Sequence, residues 1–374
     1  MGRKWVLTLW AVVLSTLVVG CADSTAPAKP ATQPQAQAKE DPLPCPLVHV
    51  RGTGAEMGAS HGEQLGPQLK TLFNSYFGKY FHSNLERQMA LMVAGAYQQK
   101  ITPELRDEIK ALAAKAGLEE REVMLEQCFL DATPMVACST FTVPTGGSAD
   151  GVARFGRNLD WPGLDIADKA SVLMVFHPKD KFAFASVGWP GMLGVLSGMN
   201  EHGLSLCNME VTRGQRLPQA MPYILLYRTV LEQCKTVDEA IELLNKTPRQ
   251  TANNLMLMDA GGNRAVAEIR PEKVTVRKAP ETQVLISTNH QRGTELNESG
   301  RCGRFDYLHE EGAKQFRKMD VEKMQSMLQH VSQKNMTLQS MIFEPSNRVM
   351  YLAVGKDAAH RKMSRIDLRK LFGD

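Results

Sequence analysis

Val136-Ala137-Cys138-Ser139-Thr140-Phe141 stands where the texture of the chain changes. Before it, apolar residues recur near helical spacing; after it, short β-rich runs alternate with turns. A lone cysteine is more often an inert core residue than a reactive one. Here it is followed closely by Gly156-Arg157-Asn158-Leu159-Asp160-Trp161. Read alone, an Arg and an Asp three residues apart form a surface pair; beside Cys138 they have a chemical logic. The thiolate is the attacking form of cysteine, and a nearby guanidinium lowers the thiol pKa. A cut before Cys138 would release an α-amine beside its own sulfur. Such an amine titrates near about pH 8 and serves as a base at neutral pH. Asp160 would orient that amine and Arg157 would stabilise the thiolate, so the nucleophile carries its own base.

Upstream, residues 45–137 read as mostly helical after a short opening strand. Met57 to Phe77 has helical spacing behind a turn at Gly54. Thr102 is an N-cap with Pro103 in the first turn, and Leu118 to Val123 opens a helix running towards Leu130. Downstream, strands are expected at 154–159, 171–176 and 182–187. Asn200-Glu201-His202-Gly203 turns a hairpin between 195–199 and 204–209. Residues 221–246 are helical, with a capping sequence at Thr236. Strands resume at 255–259, 265–269, 274–278 and 284–287, with a turn at 259–263. Helices start near Phe305 and Val321, and a last hairpin joins 339–343 to 349–354. The order predicts an α+β fold: two antiparallel sheets packed together, with helices outside both.

The first residues bear on the compartment. Arg3 and Lys4 precede an apolar run from Trp5 to Val19, and Gly20-Cys21 follows. A charged start, a short apolar stretch and small residues before a cut site describe an export signal. An uncleaved membrane anchor is the competing reading. Leu17-Val18-Val19-Gly20-Cys21 resembles the bacterial lipobox, with Val18 where Leu is commoner. That resemblance implies lipidation of Cys21 and a chain facing the periplasm or the cell exterior. The Ala/Pro/Gln-rich stretch 22–44 lacks aromatic residues and reads as a flexible tether. The expected division is a signal at 1–20, a tether at 21–44, a helical segment at 45–137 (a propeptide or small subunit) and a catalytic domain at 138–374.

Composition narrows the partners. The net charge is +4 and two of the basic residues belong to the leader, so the body is closer to neutral. Without a basic stripe interleaved with aromatics, nucleic acid is not an expected partner. The seven cysteines include no C-x-x-C pair and no metal-ligand spacing. No metal or organic cofactor is implied, and which disulfides form stays open.

From about Val50 to Gly355 the chain resembles the acyl-coenzyme A:isopenicillin N acyltransferase-like family of autoproteolytic hydrolases, within the N-terminal nucleophile superfamily and related to choloylglycine hydrolase and penicillin V acylase. The pieces that carry the resemblance are Arg51-Gly52-Thr53 through His61-Gly62-Glu63, Cys138-Ser139-Thr140-Phe141, Gly156 to Trp161, Gly198 to Leu204 followed by Asn208, Thr288-Asn289-His290 and Ser299 to Leu308. It implies a four-layer αββα sandwich and Cys138 as nucleophile, tuned by Arg157 and Asp160. Asn208 and Asn289 would help form the oxyanion hole. Arg304 would complete the polar network, with Arg301 competing for that role. Asn200, His61 and His290 read as structural residues.

One departure concerns the cut: the penicillin-forming member has Gly before its nucleophile, where this chain has Ala137. The small size is retained, so self-cleavage between Ala137 and Cys138 is expected. The leading expectation is hydrolysis of a linear amide in an N-acylated small molecule, through a Cys138 thioester. The alternatives are acyl transfer to an amine and a non-catalytic surface-binding lipoprotein. A papain-like Cys–His enzyme is a further rival, in which a residue such as His290 would be essential.

Overall fold

In the computed structural model of this chain, the described residues are 41–132, 137–214, 219–293 and 301–373. The expected signal, Cys21 and the tether up to residue 40 lie outside them. Strand β1 (Leu47–Gly52) leads into helix α1 (Gly54–Tyr80) through a reciprocal cap. The Thr53 hydroxyl accepts from the Glu56 N–H, while the Glu56 carboxylate accepts from the Thr53 N–H. Helices α2 (Asn84–Tyr97), α3 (Pro103–Ala116) and α4 (Glu120–Ala132) follow. Thr102 caps α3 as expected, its hydroxyl accepting from the Leu105 N–H at 3.3 Å.

Gly54, Gly58, Gly62 and Gly66 recur every four residues on one face of α1, and α3 lies against that face. A Cβ at Gly58 would sit 2.1 Å from the Glu108 carbonyl oxygen, so only glycine permits this approach. The close packing carries Glu108 inward, where its carboxylate pairs with Arg228 at 2.8 Å.

The first sheet element after the helices is β2 (Ala137–Val143), followed by β3 (Arg154–Asp160), β4 (Val172–Pro178), β5 (Phe184–Gly188), β6 (Ser197–Asn200) and β7 (Ser205–Gly214). Next come α5 (Tyr223–Gln233), α6 (Val237–Lys246), β8 (Thr251–Met258), β9 (Arg264–Ile269), β10 (Val274–Arg277) and β11 (Leu285–Ser287). The chain closes with α7 (Gly303–Lys314), α8 (Val321–His330), β12 (Thr337–Glu344), β13 (Val349–Val354), β14 (Ser364–Asp367) and α9 (Leu368–Phe372).

These strands form an eight-stranded sheet, β1-β4-β5-β6-β7-β8-β9-β10, and a six-stranded sheet, β11-β2-β3-β12-β13-β14. The expectation of purely antiparallel sheets needs one correction. β1 pairs parallel with β4, whereas the other described pairs are antiparallel. Parallel neighbours need a long connection, and the helices and strands between β1 and β4 supply it.

Side chains alternate across β2. Phe141 and Val143 meet Leu308, Met324 and Leu328 of α7 and α8 on the outer face of the six-stranded sheet. Cys138 belongs instead to the core that includes Leu159, Leu206 and Leu255. On the other side, α5 packs on β6, α6 on β9 and β10, and α1 on β4. The layers therefore run helix, sheet, sheet, helix, with β2 and β7 in contact across the middle. The described residues form one compact unit, and the Ala137–Cys138 junction falls inside strand β2.

Candidate active site

Cys138 is fully buried on β2, between β11 and β3. Its backbone N–H donates to Asn289 Oδ1 at 2.8 Å, and its carbonyl accepts from Arg304 Nη1. Arg304 Nη2 donates to the same Asn289 oxygen at 3.0 Å, and Nη1 lies 3.6 Å from Asp160 Oδ2. Asn289 Nδ2 donates in turn to the Glu210 carbonyl at 2.8 Å. The Asn289 amide is thereby fixed in one orientation, with its oxygen on the Cys138 nitrogen and its nitrogen turned to β7.

Arg157, fully buried on β3, reaches across the layer and donates from Nη1 to the Asn208 carbonyl. Its Nε and Nη2 have no hydrogen-bond partner, and neither does the side-chain amide of fully buried Asn208. Buried donors are nearly always paired, so unengaged ones beside a thiol are unusual. Burial pushes the Cys138 thiol up, while Arg157 and Arg304 pull it down and Asp160 adds to the rise. Asp160 ends β3. Its Oδ1 accepts from the Thr337 hydroxyl, and burial pushes its carboxyl up to about 6 against the pull of Thr337, Arg304 and Arg157.

Cys138, Arg157, Asp160, Asn208, Asn289 and Arg304 are therefore brought together by the junction of β2, β3, β7, the segment after β11 and the start of α7. Arg304 joins the network, whereas Arg301 is exposed. Asn289 differs from its expected setting. Both of its amide atoms are engaged, and Asn208 is the amide left open.

The three residues read as structural make the following bonds. Asn200 donates to the Leu231 and Cys234 carbonyls and accepts from the His202 and Leu204 N–H groups, which fastens the hairpin turn. His61 is fully buried and accepts from the Gly191 N–H at 3.1 Å. His290 is half-buried, and its carbonyl accepts from Asn254 Nδ2.

The reading of the sequence missed a second polar cluster beside the first. Asp131, near the end of α4, is buried and accepts from Gln250 Nε2 at 2.9 Å, and burial pushes its carboxyl up to about 8. Glu210 and Tyr223 border the same cleft. Glu210 was findable, since it lies two residues from Asn208 on one strand and so shares its face. The six described cysteines form no disulfide, and no group of three or more His, Cys, Asp or Glu among the described residues is placed to hold a metal ion.

A family model described as acyl-coenzyme A:6-aminopenicillanic acid acyl-transferase matches residues 148–359 of the chain. Protein dcd1A of Dictyostelium discoideum is 23% identical over 188 residues, which is 47% of this chain and 41% of that protein. The N-acylethanolamine-hydrolyzing acid amidase of Oryctolagus cuniculus is 31% identical over 101 residues, 25% of this chain and 28% of that protein. This chain thus spans less than half the length of either relative. Among solved structures, the Caenorhabditis elegans N-acylethanolamine-hydrolyzing acid amidase ortholog superposes with a TM-score of 0.45 at 19% identity, over 56% of this chain and 93% of that one.

Proposed function

The chain belongs to the acyl-coenzyme A:6-aminopenicillanic acid acyl-transferase family, and from that premise we propose that it is a cysteine amidohydrolase of N-acylated small molecules, activated by cleavage before Cys138. The observation that carries this reading is the hydrogen bond from the Cys138 nitrogen to Asn289 Oδ1, made beside the buried Arg157 guanidinium, the half-buried Arg304 and an open amide.

In activation, Cys138 Sγ attacks the Ala137 carbonyl carbon and the Ala137–Cys138 C–N bond breaks. Water then hydrolyses the resulting ester of the thiol. The products are an Ala137 carboxylate and a free Cys138 α-amine. In turnover, that amine takes the thiol proton as Sγ attacks the substrate carbonyl. Asn208 Nδ2 donates to the developing oxyanion, Arg157 steadies the thiolate, and Asn289 with Arg304 orients the amine. The substrate amine leaves with the proton, and water releases the acyl group. Acyl transfer differs only in an amine entering in place of water.

The same proposal includes export and lipid anchoring. It is supported by the Arg3-Lys4 start, the apolar run to Val19 and the small residues before Cys21. Among the described residues no helix is long and apolar enough to cross a membrane. Replacing Cys21 with Ser should move the chain from the membrane fraction to the soluble one; an unchanged distribution would count against the anchor.

The direct test of the chemistry is to quench the protein during turnover of an N-acyl amide and map the adduct by mass spectrometry. Acyl mass on the Cys138 peptide, absent from Cys138→Ala, supports the reading. Turnover by Cys138→Ala sinks it.

A further inference from the structure

A narrow pocket opens beside the site, between α1, α4 and the loop after β5. Phe73, Phe77, Phe129, Trp161, Trp189 and Met192 line it. Trp161 directly follows Asp160, and Leu130 lines both this pocket and the cleft holding Asp131 and Glu210, so the two spaces share a wall. The polar atoms of the aromatic walls are engaged within the protein. Trp161 Nε1 donates to the Tyr76 hydroxyl at 2.7 Å, that hydroxyl donates to the Pro162 carbonyl at 3.0 Å, and Trp189 Nε1 donates to the Ala167 carbonyl at 2.7 Å.

One side chain in the pocket breaks this pattern. Glu126 on α4 lines it, and its Oε2 is buried with no hydrogen-bond partner. Burial holds the carboxyl well above the usual carboxylate range, and its protonated form has an O–H to give and a carbonyl oxygen to offer. The surroundings are built to hold it. Gly191 has φ +94°, and a Cβ there would fall 2.2 Å from Glu126 Oε2. Gly191 is itself pinned, its N–H donating to His61 Nε2 and its carbonyl accepting from Gln127 Nε2. Gln127 also accepts from the Leu193 and Gly194 N–H groups, which locks the loop to α4. An unpartnered acid in an apolar wall is unfavourable unless a ligand completes it.

We propose that this pocket receives the acyl part of the substrate, and that Glu126 reads a single hydroxyl or keto oxygen on an otherwise apolar acyl group. The inference rests on the reading of Cys138 as the nucleophile of an amide hydrolase. The aromatic faces take the chain or ring, and one oxygen function satisfies the carboxyl. An acyl group with no oxygen leaves the acid unpaired. A charged acyl group meets no counter-ion on the apolar wall.

The test uses the full-length protein and N-acyl glycines of equal chain length, plain or with one hydroxyl walked along the chain. At one hydroxyl position kcat/KM should exceed that of the plain substrate by about tenfold, the scale of one satisfied buried hydrogen bond. Glu126→Gln, which can still donate and accept, should keep most of that preference, and Glu126→Leu should abolish it. A wild-type protein indifferent to the hydroxyl at every position, or a Glu126→Leu protein with the preference intact, overturns the inference.

Should Glu126→Leu fail to fold, infrared difference spectra of the Cys138→Ala protein decide. A neutral carboxyl band, missing when Glu126→Gln is added, should shift with the hydroxyacyl amide and stay put with the plain one. An unmoved band overturns the inference. Amide turnover that depends on Cys138 but ignores Glu126 defeats this inference alone. Failure to cleave any N-acyl amide defeats the parent reading, while the infrared band still tests the pocket.

Discussion

The backbone N–H of Cys138 donates to Asn289 Oδ1 at 2.8 Å, although the two residues lie 151 positions apart. The acceptor is held by Arg304 on one side and by the Glu210 carbonyl on the other. On the proposed reading, the nitrogen that becomes the α-amine is oriented before any bond is cut. Replacing Asn289 with Leu should lower kcat/KM by about 100-fold, within the range of a misplaced catalytic base. Steady-state kinetics on a cleaved N-acyl amide check this, and an effect within about twofold would remove Asn289 from the mechanism.

Asn208 is expected to behave differently, because both atoms of its side-chain amide are buried without a partner. Asn208→Ala should lower kcat by about 100-fold or more with little change in KM, as for loss of an oxyanion donor. Its melting temperature should stay level or rise, since an unsatisfied buried group is removed. A rise in KM with kcat unchanged would instead make Asn208 a binding residue.

The two arginines before and within the start of α7 separate cleanly. Arg304 touches Cys138, Asn289 and Asp160, while Arg301 is exposed. Arg304→Ala should stop self-cleavage and turnover together, and Arg301→Ala should alter stability by less than about 0.5 kcal/mol. Gel analysis and thermal melts of both variants are the check.

Stability should fall with rising pH on account of Asp131. Burial pushes its carboxyl up to about 8, whereas an unfolded Asp titrates near about 3.9. The folded state therefore holds the proton longer. The contribution is full below the unfolded value and is lost as pH rises through the folded one, at up to about 1.4 kcal/mol per pH unit. Denaturant unfolding across that window should show the slope, and Asp131→Asn should flatten it. An Asp131→Asn slope equal to wild type would mean that the Asp131 carboxyl is already ionised across the window.

Much of the sandwich was legible because strand alternation and turn chemistry are local. The 195–199 and 204–209 runs around Asn200 became β6 and β7, and Thr102-Pro103 started α3. Helix α2 was not singled out, since Leu85, Met89 and Met92 face solvent while Leu91, Ala94 and Tyr97 face inward. Apolar residues on both faces blur the helical period. The parallel seat of β1 beside β4 was also hidden, because pairing direction is a tertiary property.

At the site, family resemblance marked the residues but not their bonds. Nothing near Asn289 in sequence says that its oxygen meets the Cys138 nitrogen. Glu126 and Asp131 were passed over because acidic residues on a helix ordinarily mark its solvated face. Only the packing of α4 under the loop at Gly191 turns Glu126 inward.

The central claim is that one residue supplies both the attacking sulfur and a free terminal nitrogen. Intact-mass analysis of the active protein under denaturing conditions tests it most directly. The account predicts two chains, one ending at Ala137 and one beginning at Cys138, and a single uncut chain for Cys138→Ala. A fully active preparation in which Ala137 and Cys138 remain joined would contradict it.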